Sequence, residues 1–253
     1  MSTICIDESS YRNVDGILFD KDGTVIDFVL WIYWIEAFME ALDQKTDIVY
    51  DKQFLERSLG FSKDNRIWNP KGPLAIGSSQ DLLTILSLTL YKQGTPWDQS
   101  YQTINDINQE VEKTFSFNQH LKPVTGLIEF LDQARHHQLK MGIVTSDDHA
   151  KAVQHLDALG ITKYFTSIIG HDIAPRGKPY PDMVYQACQQ LNIQPDKTMI
   201  FGDSNGDMML GKNSGLKARI GVIPHANASS AHLEDANHII SNYHAITFQK
   251  HQT

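Results

Sequence analysis

The sequence predicts an α/β fold in which a parallel sheet carries an inserted all-helical domain. Outside residues 29–118, short apolar stretches alternate with helical patterns. Such alternation is typical of a parallel sheet with helices on both faces. Residues 29–118 instead show long amphipathic helical patterns and no convincing buried strand. This contrast indicates a helical insertion after the first strand.

The size and composition indicate a folded protein with a substantial core. The chain has 253 residues, which suits one large domain or one domain with a smaller companion. Hydrophobic residues make up 41% and charged residues 21%, so extensive disorder is not expected. The net charge of −8 favours neither nucleic acid nor an anionic membrane surface as a partner.

The cysteine content and the apolar runs indicate where the protein works. Cys5 and Cys188 are too few for a disulfide framework or a cysteine-rich metal site. The first residues lack the basic start and apolar run of a secretory signal. The longest apolar run, residues 28–35, is far shorter than the roughly 18 residues that span a bilayer. We therefore expect a cytoplasmic protein with no membrane partner.

The elements of the sheet follow from short apolar runs and their boundaries. Strands are predicted where such a run meets a turn residue or a polar end, at 17–19, 140–145, 166–169, 198–201, 218–222 and 238–240. Apolar residues at helical spacing predict helices over 126–138, 150–159, 181–191 and 207–212. Gly160 and Gly215 lie where glycine commonly ends a helix.

The insertion is predicted from three amphipathic helical patterns. In the first, apolar residues recur at spacings of three and four and would form one face of a helix. They are Trp31, Trp34, Ile35, Phe38, Met39 and Leu42. The other two cover 81–91 and 101–115, and the polar segment 60–79, with its glycines and prolines, is predicted to be a loop. We therefore assign residues 1–28 and 119–253 to the α/β core and residues 29–118 to the helical domain.

Polar and acidic residues follow several predicted strands at their carboxyl ends. Open α/β sheets form their binding sites at these ends, so the residues there are the candidates for function. They are Asp20 and Asp22 after the first strand, Thr145 and Ser146 after the second, Lys178 in the loop after the third, and Asp203 and Asp207 after the fourth.

The chemistry of these residues indicates a metal next to a phosphate-like anion. Four carboxylates at one edge repel one another unless a hard cation such as Mg²⁺, which prefers oxygen ligands, lies among them. Asp20 and Asp22 would point the same way in an extended segment, and Gly23 permits an unusual turn after them. Asp203 and Asp207 would face one site if a helix begins between them. A lysine and a threonine hydroxyl are groups that bind phosphoryl oxygens.

Four short segments resemble the motifs of the haloacid dehalogenase-like hydrolase superfamily. They are DKDGT at 20–24, IVTS at 143–146, GKPYPD at 177–182 and GDSNGD at 202–207, in the order of the family. The resemblance covers essentially the whole chain, because the insertion is similar to the helical cap of these enzymes. It implies a Rossmann-like core with a cap, in the branch of phosphoglycolate phosphatases and β-phosphoglucomutases.

The resemblance implies a role for each candidate residue in phosphoryl transfer. Asp20 would be the nucleophile that forms an aspartyl-phosphate. Asp22 would protonate the leaving-group oxygen and then deprotonate the hydrolytic water. Thr145 and the Ser146 amide would bind the phosphoryl oxygens, while Lys178 would neutralise charge at the nucleophile and the phosphate.

The resemblance also implies Mg²⁺ as the cofactor. Asp20, the main-chain carbonyl of Asp22, and Asp203 would hold the ion, with Asp207 supporting it directly or through water. Asp207 has a structural alternative as the cap of the following helix. The helical cap would close over the site and contribute contacts to the substrate.

The identity of residue 22 favours one reaction within the family. A halide leaves without a proton, whereas an alkoxide that leaves phosphorus needs one, so Asp22 favours a phosphatase over a dehalogenase. We therefore predict a Mg²⁺-dependent phosphoric monoester hydrolase that acts on a small phosphorylated metabolite. The alternatives are a phosphomutase of the β-phosphoglucomutase type, a non-catalytic binding or regulatory protein that keeps the fold, and a phospho-accepting signalling domain.

Overall fold

The computed structural model describes residues 2–45, 48–225 and 229–250. Within these ranges the strands are β1 (Ser2–Ile6), β2 (Ser9–Val14), β3 (Gly16–Phe19), β4 (Phe61–Ser62), β5 (Ile67–Trp68), β6 (Lys140–Val144), β7 (Ser167–Ile169), β8 (Thr198–Gly202), β9 (Ala218–Val222), β10 (His238–Ile240) and β11 (Ile246–Lys250). The helices are α1 (Val29–Lys45), α2 (Lys52–Leu59), α3 (Pro73–Ile76), α4 (Ser79–Lys92), α5 (Trp97–Thr114), α6 (Phe117–His120), α7 (Leu127–His136), α8 (His149–Ala158), α9 (Asp182–Leu191) and α10 (Asn205–Asn213).

The chain divides into two compact units. One unit joins the residues up to Asp27 to those from Leu121 onward, and the other runs from Phe28 to His120. The first contains the parallel sheet and the second is predominantly helical. The assignment of the second unit as a cap, with the boundaries 29–118 and with 1–28 and 119–253 as the core, stays a prediction.

The sheet of the first unit has the predicted parallel character. Among the described residues, six strands pair in the order β10-β9-β8-β3-β6-β7, and every pair is parallel. In β3, Phe19 lies opposite Ile143 of β6 and Phe201 of β8. Because these three strands are parallel neighbours, their carboxyl ends meet at the same edge of the sheet. The predicted α/β fold class is confirmed.

An aromatic cluster supports β3 directly before the candidate site. The rings of Phe19 and Phe201 stack with centroids 5.5 Å apart. Phe130 of α7 and Tyr243 pack on the same pair, at 6.1 and 6.4 Å from Phe19. The Tyr243 hydroxyl donates a hydrogen bond of 3.1 Å to the carbonyl oxygen of Thr24. These contacts fix the end of β3 and the loop that follows it.

The sequence analysis missed an antiparallel sheet in this unit. It is formed by β11, β1 and β2, with β1 in the centre. The residues of β2 are mostly exposed and polar, and they show none of the apolar alternation that identifies a half-buried strand. The helix predicted over 207–212 also begins earlier, at Asn205, because Ser204 caps its first turn.

The second unit has its own hydrophobic core. Trp31, Trp34 and Phe38 of α1 are buried in it, as the apolar face of the sequence pattern indicates. The loop predicted over 60–79 is wrong in part, because it contains the β4-β5 hairpin and the one-turn helix α3. Elements of two to four residues are too short to show a period in the sequence. In the described part of the chain, none of the helices combines the length and apolar character needed to cross a membrane.

Candidate active site

Asp20 follows directly on β3 and begins a tight loop. Its main-chain N–H donates to the carbonyl oxygen of Phe201 at 2.8 Å, which extends the pairing of β3 with β8. The carbonyl oxygen of Lys21 then accepts from the N–H groups of Val25 and Ile26, at 2.8 and 2.9 Å. The Asp20 side chain is buried and only 7% of the residue is exposed. The nucleophile implied by the resemblance therefore sits on a rigid turn.

Three carboxylates gather at this edge and form what we call the carboxylate cluster, Asp20, Asp203 and Asp207. One carboxylate oxygen from each lies within 4.8 Å of the others. The Lys178 ammonium contacts the cluster, pairing with Asp20 and, at 2.6 Å, with Asp207. The structure thus brings together four of the predicted site residues, which come from three separate segments of the chain.

Burial makes the negative charge of this cluster costly. It raises the pKa of Asp20 to about 7, although Lys178 opposes the shift. Burial, with Asp20 and Asp207 nearby, also raises the pKa of Asp203 well above its usual range. For Lys178 burial alone would lower the pKa, but the Asp20 and Asp207 carboxylates raise it above its ordinary value. The charge balance therefore favours a further cation among these oxygens.

The donor set fits Mg²⁺. The cluster offers hard carboxylate oxygens, which this ion prefers. Gly23 lets Asp203 come close to the loop after β3, because a Cβ at position 23 would lie 2.0 Å from Asp203 Oδ2. Gly23 also has a φ of +77°, a conformation that favours glycine. The predicted ligands Asp20, Asp203 and Asp207 therefore sit in a cradle with the chemistry of a magnesium site.

Replacement of Gly23 by Ala tests this cradle. We expect the variant to lose about 1–2 kcal/mol of stability from the left-handed backbone alone. We also expect its affinity for Mg²⁺ to fall by about tenfold or more, because Asp203 must move. Gly215→Ala is the matched control, since Gly215 has a φ of +71° and nothing within 4 Å of its Cβ position. Thermal melts and calorimetric Mg²⁺ titrations would separate the two effects, and an unchanged Mg²⁺ affinity in Gly23→Ala would contradict this interpretation.

Asp207 caps a helix, as one of the two roles left open by the sequence requires, and its other oxygen faces the carboxylate cluster; its support of a metal stays a prediction. Its Oδ2 accepts hydrogen bonds from the Ser204 main-chain N–H and hydroxyl, at 3.1 and 2.7 Å, and caps α10. Its Oδ1 lies 2.6 Å from the Lys178 ammonium. The helix cap thus orients one oxygen of Asp207 into the cluster.

Asp22 is not part of the carboxylate cluster, although its charge is near enough to help raise the pKa of Asp20. Its two carboxylate oxygens lie 2.8 and 2.7 Å from the ammonium of Lys21. The same ammonium lies 3.2 Å from Asp147 Oδ2 and 3.2 Å from His155 Nδ1. We call these four residues the Lys21 network. A role for Asp22 as a metal ligand through its main-chain carbonyl stays a prediction.

Thr145 and Ser146 follow β6, the neighbour of β3. The main-chain N–H of Thr145 donates to the carbonyl oxygen of Ile169 at 3.0 Å, so Thr145 continues the pairing of β6 with β7. Its buried hydroxyl oxygen accepts from the Asp147 N–H at 3.1 Å, and the hydroxyl hydrogen can be donated to another group. Ser146 is partly exposed at the same edge. Their positions suit groups that donate to an anion.

Two residues that support the site, His232 and Lys21, are not among those predicted from the sequence. His232 is buried, and its Nε2 lies 2.8 Å from the carbonyl oxygen of Asp203. A histidine far along the chain carries no signal for such a contact. For Lys21 the sequence gives no signal either, since lysine is rarely buried and its partners Asp147 and His155 lie far along the chain.

Comparison with known proteins gives one family. The profile of the haloacid dehalogenase-like hydrolase family matches residues 17–220. The phosphorylated carbohydrates phosphatase of Thermotoga maritima is 30% identical over 123 residues, which are 49% of this chain and 57% of that protein. The matched part thus spans little more than half of that relative. Pyrophosphatase PpaX of Oceanobacillus iheyensis is 24% identical over 205 residues, 81% of this chain and 82% of the relative.

The solved structures agree on the fold. A predicted phosphoglycolate phosphatase from Haemophilus somnus 129pt superimposes with a TM-score of 0.66 at 16% sequence identity. The match covers 91% of this chain and 95% of the other. At this level of identity the likeness concerns the fold alone.

Proposed function

We propose that the chain, which belongs to the haloacid dehalogenase-like hydrolase family, is a Mg²⁺-dependent phosphatase of small phosphate monoesters. The observation that carries the proposal is the carboxylate cluster with Lys178 at the end of β3. Relatives named as phosphatases support the same reaction class. The substrate is a small-molecule phosphate ester in this proposal, and neither nucleic acid nor a membrane takes part.

Asp20 is the proposed nucleophile. An oxygen of its carboxylate attacks phosphorus, an aspartyl-phosphate bond forms, and the bond from phosphorus to the alcohol oxygen breaks. Lys178 contacts Asp20 and lies where it can offset charge on the phosphoryl oxygens. Mg²⁺, held by the cluster and the Asp22 carbonyl, would screen the substrate anion from the Asp20 carboxylate.

Asp22, Thr145 and Ser146 complete the proposed mechanism. Asp22 gives a proton to the departing alcohol oxygen. It then takes one from the water that attacks phosphorus, and the bond from phosphorus to the Asp20 oxygen breaks. The Thr145 hydroxyl and the Ser146 N–H donate hydrogen bonds to the phosphoryl oxygens during both steps. The proton returned to Asp22 restores the starting state, and inorganic phosphate leaves.

A phosphate-release screen tests the reaction class. Sugar phosphates, phosphoglycolate, nucleotides and pyrophosphate are each incubated with Mg²⁺ or with a chelator. We expect release from at least one phosphate monoester, and only with Mg²⁺. Isomerised sugar phosphate from glucose 1-phosphate, with no free phosphate, would favour the phosphomutase. Failure to release phosphate from any compound, together with binding to a protein partner, would favour the regulatory alternative.

Replacement of Asp22 by Asn tests its role as the acid. We expect about a 10²- to 10⁴-fold lower turnover of an alkyl phosphate, because its poor leaving group needs the proton. First-turnover release of nitrophenolate from p-nitrophenyl phosphate should fall far less, since nitrophenolate leaves without a proton. The rates of leaving-group release in the first turnover measure the difference, because the later hydrolysis of the aspartyl-phosphate also uses Asp22 and is the same for both substrates. An equal loss on the two substrates would count against Asp22 as the acid.

A further inference from the structure

The Lys21 network is a buried cluster that the proposed mechanism does not use as a whole. Lys21 is fully buried, with 0% of its side chain exposed, whereas 16% of the Asp22 side chain is exposed. Asp147 and His155 are buried as well. Asp22, the residue proposed to exchange a proton with the substrate, is therefore the most exposed member of the network.

The donors of Lys21 match its surroundings. An ammonium has three N–H donors, and the Lys21 ammonium lies within 3.2 Å of Asp22, Asp147 and His155. Burial lowers the pKa of His155 to about 4, and Lys21 adds to the effect, so this ring is uncharged near pH 7. Three partners, Asp22, Asp147 and His155, therefore lie within 3.2 Å of the Lys21 ammonium.

Both Lys21 and its partners are fixed by further contacts in separate segments of the chain. Its main chain is fixed by hydrogen bonds to Val25 and Ile26 in the tight loop. Asp147 is fixed by its own contacts, because its N–H donates to Thr145 Oγ1 at 3.1 Å and its Oδ1 accepts from the Asp148 N–H at 2.9 Å. His155 belongs to α8. These anchors leave the ammonium little freedom to follow a moving Asp22.

We propose that Lys21 is a positioning residue that fixes the Asp22 carboxylate for proton transfer to the leaving-group oxygen and from the hydrolytic water. Asp147 and His155 hold the ammonium in place for this purpose. The inference rests on the proposed function of Asp22. Without Lys21, the Asp22 carboxylate would be free to rotate. It would then lie less often in the position from which it gives its proton to the departing oxygen.

The test is the variant Lys21→Met, which keeps the length of the side chain and removes the ammonium. We expect first-turnover release of the alcohol from an alkyl phosphate to fall by about 30-fold or more, and that of nitrophenolate from p-nitrophenyl phosphate by less than about threefold. In the Asp22→Asn background, Lys21→Met should add no further loss on the alkyl phosphate. Equal losses of rate on the two substrates would overturn the proposal. So would an undiminished effect of Lys21→Met on the alkyl phosphate rate in the Asp22→Asn background.

A second variant covers the case in which Lys21→Met does not fold. Lys21→Met with Asp147→Asn removes one positive and one negative charge together, so no extra charge stays buried. Its crystal structure should show the Asp22 carboxylate displaced or in several positions. An Asp22 side chain that keeps its position would overturn the proposal, whether or not the enzyme is active. Lys197→Met, which alters a half-exposed lysine of the same unit, is the matched control and should change none of these results.

Failure of the proposed phosphatase function can be distinguished from failure of the positioning role of Lys21. If the wild-type protein released no phosphate from any ester, the proposed function would fail. The crystal structure of the variant with Lys21→Met and Asp147→Asn would still show whether Lys21 fixes the position of Asp22. If the wild-type protein is active and only the substrate-selective loss is absent, the phosphatase proposal stands and the positioning role fails.

Discussion

Asp20→Asn is expected to abolish phosphate release, by about 10⁴-fold or more, and to leave the fold intact. An amide of the same shape cannot form the bond to phosphorus. The fold should tolerate it, because burial already raises the pKa of Asp20 to about 7 and its charged form is held at a cost. Steady-state phosphate release measures the loss of turnover, and thermal melting shows whether the fold is intact.

The matched control for Asp20→Asn is Asp15→Asn. Asp15 directly precedes β3, at the opposite end of the strand, and its partly exposed side chain lies 3.9 Å from Lys197. This change removes the same chemical group from the same unit, far from the candidate site. It should leave turnover unchanged. Near-normal turnover in Asp20→Asn would mean that Asp20 is not the nucleophile.

Lys178→Met is expected to have the second largest effect. We expect turnover to fall by about 10³-fold, because the charge that faces Asp20 and the phosphate is lost. Stability should fall by about 3–5 kcal/mol in the absence of metal, because the buried carboxylates of Asp20 and Asp207 lose their ammonium partner. Added Mg²⁺ should raise the melting temperature of this variant more than that of the wild type, since it supplies a cation to the same oxygens.

Lys212→Met is the control for this experiment. Lys212 also pairs with an aspartate, at 2.7 Å, but 61% of its side chain is exposed, so its ion pair contributes little. Melting curves with and without Mg²⁺, and rates at saturating substrate, compare the two variants. A Lys178→Met protein with wild-type stability and rate would show that Lys178 neither stabilises the site nor takes part in the reaction.

The sheet and most of the candidate site were predictable from the sequence because each rests on local patterns. The strand at 17–19 is a short apolar run that ends at an acidic residue, and the strand at 198–201 has the same form. Parallel strands present their carboxyl ends at one edge, so Asp20 and Asp203 could be placed together without knowledge of the contacts. The structure places them so.

The remaining features depend on tertiary contacts that no local pattern encodes. Spacing alone predicts that Asp20 and Asp22 point the same way, but in the structure both carboxylate oxygens of Asp22 pair with Lys21, and Asp22 is not part of the carboxylate cluster. A buried lysine is stable only with partners, and Asp147 and His155 lie far from Lys21 in the sequence. The strand β2 is polar because it is largely exposed, so its pairing with β1 leaves no apolar signature.

The formation of an aspartyl-phosphate on Asp20 is the central claim, and it can be measured directly. The protein is mixed with Mg²⁺ and p-nitrophenyl phosphate, quenched in acid within milliseconds and reduced with borohydride, which converts an aspartyl-phosphate to homoserine. Mass spectrometry of the peptides should find homoserine at position 20, only with both Mg²⁺ and substrate present. Phosphate release with no modified aspartate, or with the modification at another residue, would contradict the proposed mechanism.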